Sequence, residues 1–160
     1  MTLQTDSDWA GCVVTRRSTS GGAIYLGDHL VHQWSKLQGP VALSSGEAEL
    51  CAQVKGVAEA LGLRNAFNNL GVSVGVSSFV DSSASKGIVS RVGVGKIKHL
   101  EFKHLWVQQF VRSGNVQVFK IPRKINTADL LTHACNSAEL KSHLSRMGLR
   151  VRCLSGPAMA

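Results

Sequence analysis

Four acidic residues stand in four separate segments of the chain: Asp6 in TDSDWAG, Glu49 in SSGEAEL, Asp81 in FVDSSAS and Asp129 in NTADLL. The whole sequence holds only ten Asp and Glu among 160 residues. Three of the four acids fall at the end of a strand-like run or near the start of a helical one, where side chains from distant segments can converge. Carboxylates gathered in one place repel one another and raise their own pKa values. Divalent cations stabilise such a cluster, and hard oxygen ligands suit Mg2+ or Mn2+. On an otherwise basic protein the pattern points to two-metal phosphodiester chemistry.

The elements that must position these acids can be read from periodicity and punctuation. Residues 2–6 read as a short strand entering TDSDWAG. The polar residues 15–22 read as a turn, 23–26 as a second strand, Gly27 and Asp28 as a turn, and 30–34 as a third strand, together an antiparallel meander. Ser44 followed by Glu47 is an S-x-x-E capping box. Behind it Leu50, Val54, Val57 and Leu61 recur at helical spacing, which predicts a helix over 45–69 that stops at Gly71. Gly56 and Gly62 weaken that helix by roughly 1 kcal/mol each relative to Ala, and are expected to permit close packing on a sheet. Residues 74–80 are a β-rich run ending at Asp81. Short helices are expected over 82–91 and 100–112, with a strand over 116–121. Asn126 is expected to open a terminal helix carrying Asp129, and a second helical piece covers 137–147. One domain over residues 1–148 and a loose tail over 149–160 follow. The order of elements predicts an α/β fold with a mixed sheet, central in its first strand if the fourth strand joins it in parallel. Asp6 and Asp81 would then leave the carboxyl ends of neighbouring strands, where open α/β sheets place their sites.

Composition narrows the partners. The formal net charge is +8, but residues 1–80 carry a net of −1 and residues 81–160 a net of +9. That asymmetry suggests a polyanionic partner met mainly by the second half. Aromatic residues make up 6% of the chain, so contact to a duplex backbone is expected before base stacking. No run of about 18 apolar residues exists, so no membrane partner is expected. The start, MTLQTDSDWAG, lacks the basic and apolar regions of a secretory signal. Cys12, Cys51, Cys135 and Cys153 show no CxxC spacing, which fits reduced cysteines in an intracellular protein.

Five motifs, TDSDWAGC with TRRSTSGG, SSGEAEL, FVDSSASKGI, KHLEFKHLWVQQFV and NTADLLTH, occur in an order and spacing that resemble the ribonuclease H domain of Ty1/copia-type retrotransposon polyproteins. The resemblance covers about residues 5–148. It implies a ribonuclease H-like fold: a five-stranded mixed sheet, three strands antiparallel and the rest parallel, flanked by helices. It implies cleavage of the RNA strand of RNA–DNA hybrids during reverse transcription, beside a reverse transcriptase domain of the same polyprotein. The setting would be a cytoplasmic retroelement particle or the nucleus. The metal-binding and catalytic acids of the family map onto Asp6, Glu49, Asp81 and Asp129, with two Mg2+ ions (or Mn2+) as cofactor. Asp6 fits the family's strand position better than Asp8, which is expected in the turn beyond. Glu49 precedes Leu50 as the family's catalytic glutamate does, while Glu47 serves the cap. Two rivals share the fold, a catalytically silent nucleic-acid-binding domain and a DNA-directed nuclease or integrase-like relative.

Other residues are candidates for substrate contact. Recognition of RNA requires sensing 2′-hydroxyls, and Ser44, Ser45 and Ser83, next to the acids, suit that task. Arg16 and Arg17 could grip a phosphate backbone, as could Lys96, Lys98, Arg123 and Lys124. Cellular ribonucleases H carry a histidine between the last strand and last helix; here that stretch is Pro122 to Ile125, without one. His133 stands where copia-type proteins usually have Lys. Four residues after Asp129, it would share a helix face with it and could reach the metal site to help product leave. His29, His32, His99 and His104 lack metal-site spacing, and Trp9, Trp34 and Trp106 are expected to pack in the core or on the sheet.

Overall fold

A computed structural model of the chain describes residues 1–93 and 105–150. Its five strands are β1 (Thr2–Asp8), β2 (Thr19–Leu26), β3 (His29–Leu37), β4 (Val76–Val80) and β5 (Val116–Lys120). They form one sheet in the order β3-β2-β1-β4-β5. β1 pairs antiparallel with β2, and β2 with β3, whereas β4 lies parallel to both β1 and β5. β1 is therefore central, and its carboxyl end points the same way as that of β4. The mixed sheet expected from the pattern is the one observed.

Helices cover both faces. On one lie α1 (Ser45–Asn69), α2 (Ser83–Val89) and α3 (Trp106–Arg112), whose Leu50, Val57, Ile88, Val89 and Val107 close a core with Leu3 and Ile24 of the sheet. On the other, α4 (Ser137–Arg146) and a 3-10 helix (Thr127–Leu131) cover Ala23 and Tyr25 through Leu130, Leu131 and Met147. α1 matches the spacing-based expectation residue for residue. Its cap is a variant: the Ser44 hydroxyl accepts from the Glu47 N–H at 3.2 Å, while the Glu47 carboxylate accepts from the Leu43 N–H at 2.7 Å.

The interior glycine of α1 that matters is Gly56. A Cβ there would lie 2.5 Å from Thr5 Cγ2 and 3.0 Å from Leu3 Cδ1, both on the buried central strand. Gly62 faces open space, so the expectation of close packing holds for Gly56 and not for Gly62. Gly56→Ala should therefore destabilise the chain by up to about 2 kcal/mol, because overpacking against the buried Thr5 and Leu3 side chains outweighs the roughly 1 kcal/mol gained in helix propensity. Chemical denaturation of Gly56→Ala beside Gly62→Ala, which should stabilise, checks the sign of both.

Several boundaries differ from the sequence reading. Residues 19–22 are strand, not turn. Their glycines serve close approach: a Cβ on Gly22 would sit 2.0 Å from the Trp34 ring, and one on Gly21 would sit 2.8 Å from the Ala128 carbonyl. Asp8 ends β1 rather than lying in the turn, and its carboxylate accepts from the Thr19 N–H across the ladder. Trp9 is not core; it is 55% exposed and donates its Nε1–H to the Ala42 carbonyl at 3.1 Å. Trp34 and Trp106 do pack against the core. The segment carrying Asp129 is 3-10 rather than α-helical. It is pinned to β1 at its start, since Asn126 Nδ2 donates to the Thr5 carbonyl at 2.9 Å and the Thr127 N–H donates to Gln4 Oε1 at 2.7 Å. A tether that short leaves room for a tight turn only. The first part of the helix expected over 100–112, with Lys96, Lys98, His99 and His104, and residues 151–160 of the expected tail lie outside the described residues.

Candidate functional site

The four acids converge at the carboxyl end of β1 and β4. Asp6 lies on β1 and is 4% exposed. Asp81 directly follows β4, Glu49 sits one turn into α1, and Asp129 lies on the 3-10 helix. Oxygens of Asp6, Glu49 and Asp81 all fall within 4.8 Å of one another. A second set, Asp6, Asp129 and His133, meets the same distance. Asp6 belongs to both, so five residues, four acids and His133, from four segments share one locus.

Burial and mutual repulsion set the electrostatics. Removal from water pushes the Glu49 carboxyl up to about 8, and the neighbouring charges of Asp6 and Asp81 add to the shift. Burial raises Asp6 as well, opposed by a hydrogen bond from the Thr132 hydroxyl and reinforced by Asp129. Asp81 is raised by burial and then by Asp6. Glu49 Oε2 is buried with no hydrogen-bond partner. Buried carboxylate oxygens are ordinarily satisfied, so an orphaned oxygen on a carboxylate clustered with two other acids fits a cation ligand. The donor set is all oxygen around Glu49 and gains an imidazole nitrogen around Asp129, which divalent ions accept.

The surrounding side chains hold the acids in place. The Thr132 hydroxyl donates to Asp6 Oδ2. Arg123 Nε donates to Asp129 Oδ1 at 3.0 Å, but the guanidinium is 67% exposed and the pair is therefore worth little. His133 Nε2 is 3.4 Å from Asp129 Oδ2, so the proximity expected from a shared helix face is present although the segment is a 3-10 turn. Behind the site, buried Ser85 donates to Gln53 Oε1 at 2.6 Å, with Ser78 beside Gln53 Nε2 at 3.5 Å. This chain ties the helix of Glu49 to the strand and helix that flank Asp81.

The other sequence candidates are more dispersed. Ser44 is the cap of α1. Ser45 is exposed at the start of that helix. Ser83 opens α2 and accepts from Lys120 Nζ. Arg16 and Arg17 are exposed on the loop between β1 and β2. His32, on the edge strand β3, lies 3.9 Å from Glu59 of α1, and no disulfide joins the described cysteines. Pattern reading missed Thr132 and His143. Thr132 stands within NTADLLTH, and its place one residue before the singled-out His133 was the available signal. His143 is buried at 7% exposure with Nε2 3.9 Å from Asp129 Oδ2. It had no signal, because its link to the site is spatial. Thr132→Val should raise the Asp6 pKa further by removing its stabilising donor. Carboxyl carbon shifts followed by NMR titration read this directly, and a lowered Asp6 value would contradict the geometry.

No family model matches the chain. It is 30% identical over 130 residues, 80% of its own length, to the retrovirus-related Pol polyprotein from transposon TNT 1-94 of Nicotiana tabacum. It is 26% identical over 147 residues, 90% of its length, to the corresponding polyprotein from transposon RE1 of Arabidopsis thaliana. The chain spans about 10% of the length of these relatives. Among solved structures, LC11-RNase H1, isolated from compost by a metagenomic approach, superposes with a TM-score of 0.64 at 19% identity, covering 82% of this chain and 91% of that one. In sequence the chain is similar to Pol polyproteins of copia-type transposons, and its fold is that of ribonuclease H structures.

Proposed function

We propose that this chain is a metal-dependent endonuclease that hydrolyses the RNA strand of RNA–DNA hybrids during reverse transcription of a retroelement. The observation that carries the reading is the convergence of Asp6, Glu49, Asp81 and Asp129, with Asp6 common to both cation-sized clusters. A structure of LC11-RNase H1 in complex with an RNA/DNA hybrid, similar to this chain at a TM-score of 0.52 over 82% of its length, supports the choice of substrate. The nucleus or a cytoplasmic retroelement particle is the proposed setting, with a reverse transcriptase segment of the same polyprotein as neighbour.

Asp6, Glu49, Asp81 and Asp129 would hold Mg2+ or Mn2+, which when bound acidifies water and neutralises charge at the departing oxygen. The chain's own part is placement. Thr132 fixes the Asp6 carboxylate, and the Gln53–Ser85 bond fixes the spacing between Glu49 and Asp81. Burial keeps water from screening the acids, so they act on cations at close range. Near neutral pH the Glu49 carboxyl retains its proton for much of the time, and it must release that proton to serve as a ligand. Ser44, Ser45 and Ser83, close to the acids along the chain, are the proposed sensors of 2′-hydroxyls. Arg16, Arg17 and Arg123 are the proposed phosphate contacts, which makes binding salt-dependent.

The test is incubation of the chain with a labelled RNA–DNA hybrid, with and without Mg2+, beside Asp81→Asn. Mg2+-dependent cleavage of the RNA strand, lost in the variant, is expected. Binding without cleavage would favour a silent tethering domain. Equal rates on duplex DNA would favour a DNA-directed relative.

A further inference from the structure

We propose that His133 makes the Asp6–Asp129 half of the cluster a mixed nitrogen–oxygen cation site, which takes a borderline ion of the Zn2+ or Co2+ kind more tightly than Mg2+. This deepens the nuclease reading, with which it shares Asp6 and Asp129. Mg2+ favours oxygen donors and dehydrates reluctantly, whereas imidazole favours later transition ions. One oxygen from each acid and a ring nitrogen of His133 lie within 4.8 Å of one another. The 3.4 Å between His133 Nε2 and Asp129 Oδ2 is a spacing that two donors, each about 2.0–2.2 Å from a common zinc ion, adopt.

The surroundings prepare that nitrogen. The Thr132 hydroxyl has one proton and two oxygen acceptors, Asp6 Oδ2 and the Asp129 carbonyl at 3.0 Å, so its own oxygen is left to accept from His133 Nδ1, 3.1 Å away. That assignment puts the ring proton on Nδ1 and leaves the Nε2 lone pair facing Asp129, the tautomer a metal ligand requires. His143 supplies an independent sign. Its imidazole is 7% exposed, its Nδ1 has no partner, and its Nε2 stops 3.9 Å from the same Asp129 oxygen. A buried ring nitrogen without a hydrogen bond is costly, and polar groups behind a ligand carboxylate help to orient it in metal sites. Arg123 takes the other oxygen, Oδ1, and its Nη2 lies 3.5 Å from His133 Nε2. Because this guanidinium is mostly in solvent, a cation displaces it at small cost.

The experiment is long-range 1H–15N NMR of the imidazoles in the full chain, titrated with Zn2+ and separately with Mg2+, and calorimetry of both ions on the native chain and His133→Ala. Zn2+ should move the His133 Nε2 resonance into the metal-bound range, and Mg2+ should not. His133→Ala should weaken Zn2+ by at least about tenfold, the scale of lost metal-site support, and change Mg2+ affinity by less than about twofold. The residue-specific resonance separates this site from zinc held by cysteines. An unmoved His133 nitrogen, or equal losses of Zn2+ and Mg2+ affinity, overturns the proposal. The native titration decides the matter even if the variant folds poorly. Hybrid cleavage in Mg2+ with a silent His133 would sink this inference and leave the nuclease reading standing. Zinc ligation by His133 without any cleavage would do the reverse.

Discussion

Asp6→Asn should reduce Mg2+-dependent hybrid cleavage by on the order of a thousandfold or more, while leaving the chain folded. Asp6 is the residue common to both clusters, so its loss disturbs both cation positions at once. A cation's electrostatic contribution to such a transition state is several kcal/mol, and each tenfold in rate is about 1.4 kcal/mol. The fold should tolerate the change for a physical reason. Asparagine keeps the shape and an acceptor for the Thr132 hydroxyl, and it removes one charge from a group that repels Glu49 and Asp129. In a chelating buffer at pH 8 the variant should therefore melt higher than the native chain, by about 2–4 °C if roughly 1 kcal/mol of repulsion is relieved. Single-turnover cleavage and thermal melts check the two halves together. A variant retaining a tenth of the native rate would show that Asp6 is not shared by the working ions.

Without divalent ions, the stability of the native chain should fall as pH rises from about 4.5 to about 8. The sign comes from Glu49. Its carboxyl sits at about 8 in the folded chain against an ordinary 4.5. Between those values the folded chain holds a proton that the unfolded chain has released, and stability declines with pH wherever the folded state binds more protons. The contribution is fully present below 4.5 and gone above 8. Asp6 and Asp81 are raised also, so they push in the same direction from the lower end of the window. A shift of one unit corresponds to about 1.4 kcal/mol, so the total fall is on the order of a few kcal/mol. Millimolar Mg2+ should flatten the slope, because cations bind the deprotonated acids. Denaturation at pH 5, 6.5 and 8, with Mg2+ and with chelator, measures it. A flat profile in chelator would mean that the carboxylates are solvated and apart.

The architecture was largely legible along the chain. α1 was readable because its cap, its apolar spacing and its stop signal agree, and local agreement of that kind survives folding. The strands were readable in type and less so at their ends. Residues 19–22 looked like a turn because glycine and serine favour turns, yet there the glycines leave room for Trp34 and Ala128, which a linear pattern cannot display. Trp9 looked like core because large aromatics usually are; its indole N–H found a carbonyl on a surface loop instead. The acids could be named from their motifs, but their degree of coupling could not, since desolvation and repulsion depend on separations in space.

The order of the elements and the excess of basic charge in the second half were written in the chain itself, because each rests on residue type and local period, whereas the choice of the four acids came from the family their motifs resemble. Tertiary structure decided the rest. It alone brought Thr132 to Asp6 across 126 positions, set the two histidines against one oxygen of Asp129, and left a buried oxygen of Glu49 without a partner. Hydrogen bonds and Coulomb forces act over a few ångströms of space, and no local period records which distant residues will come within that range.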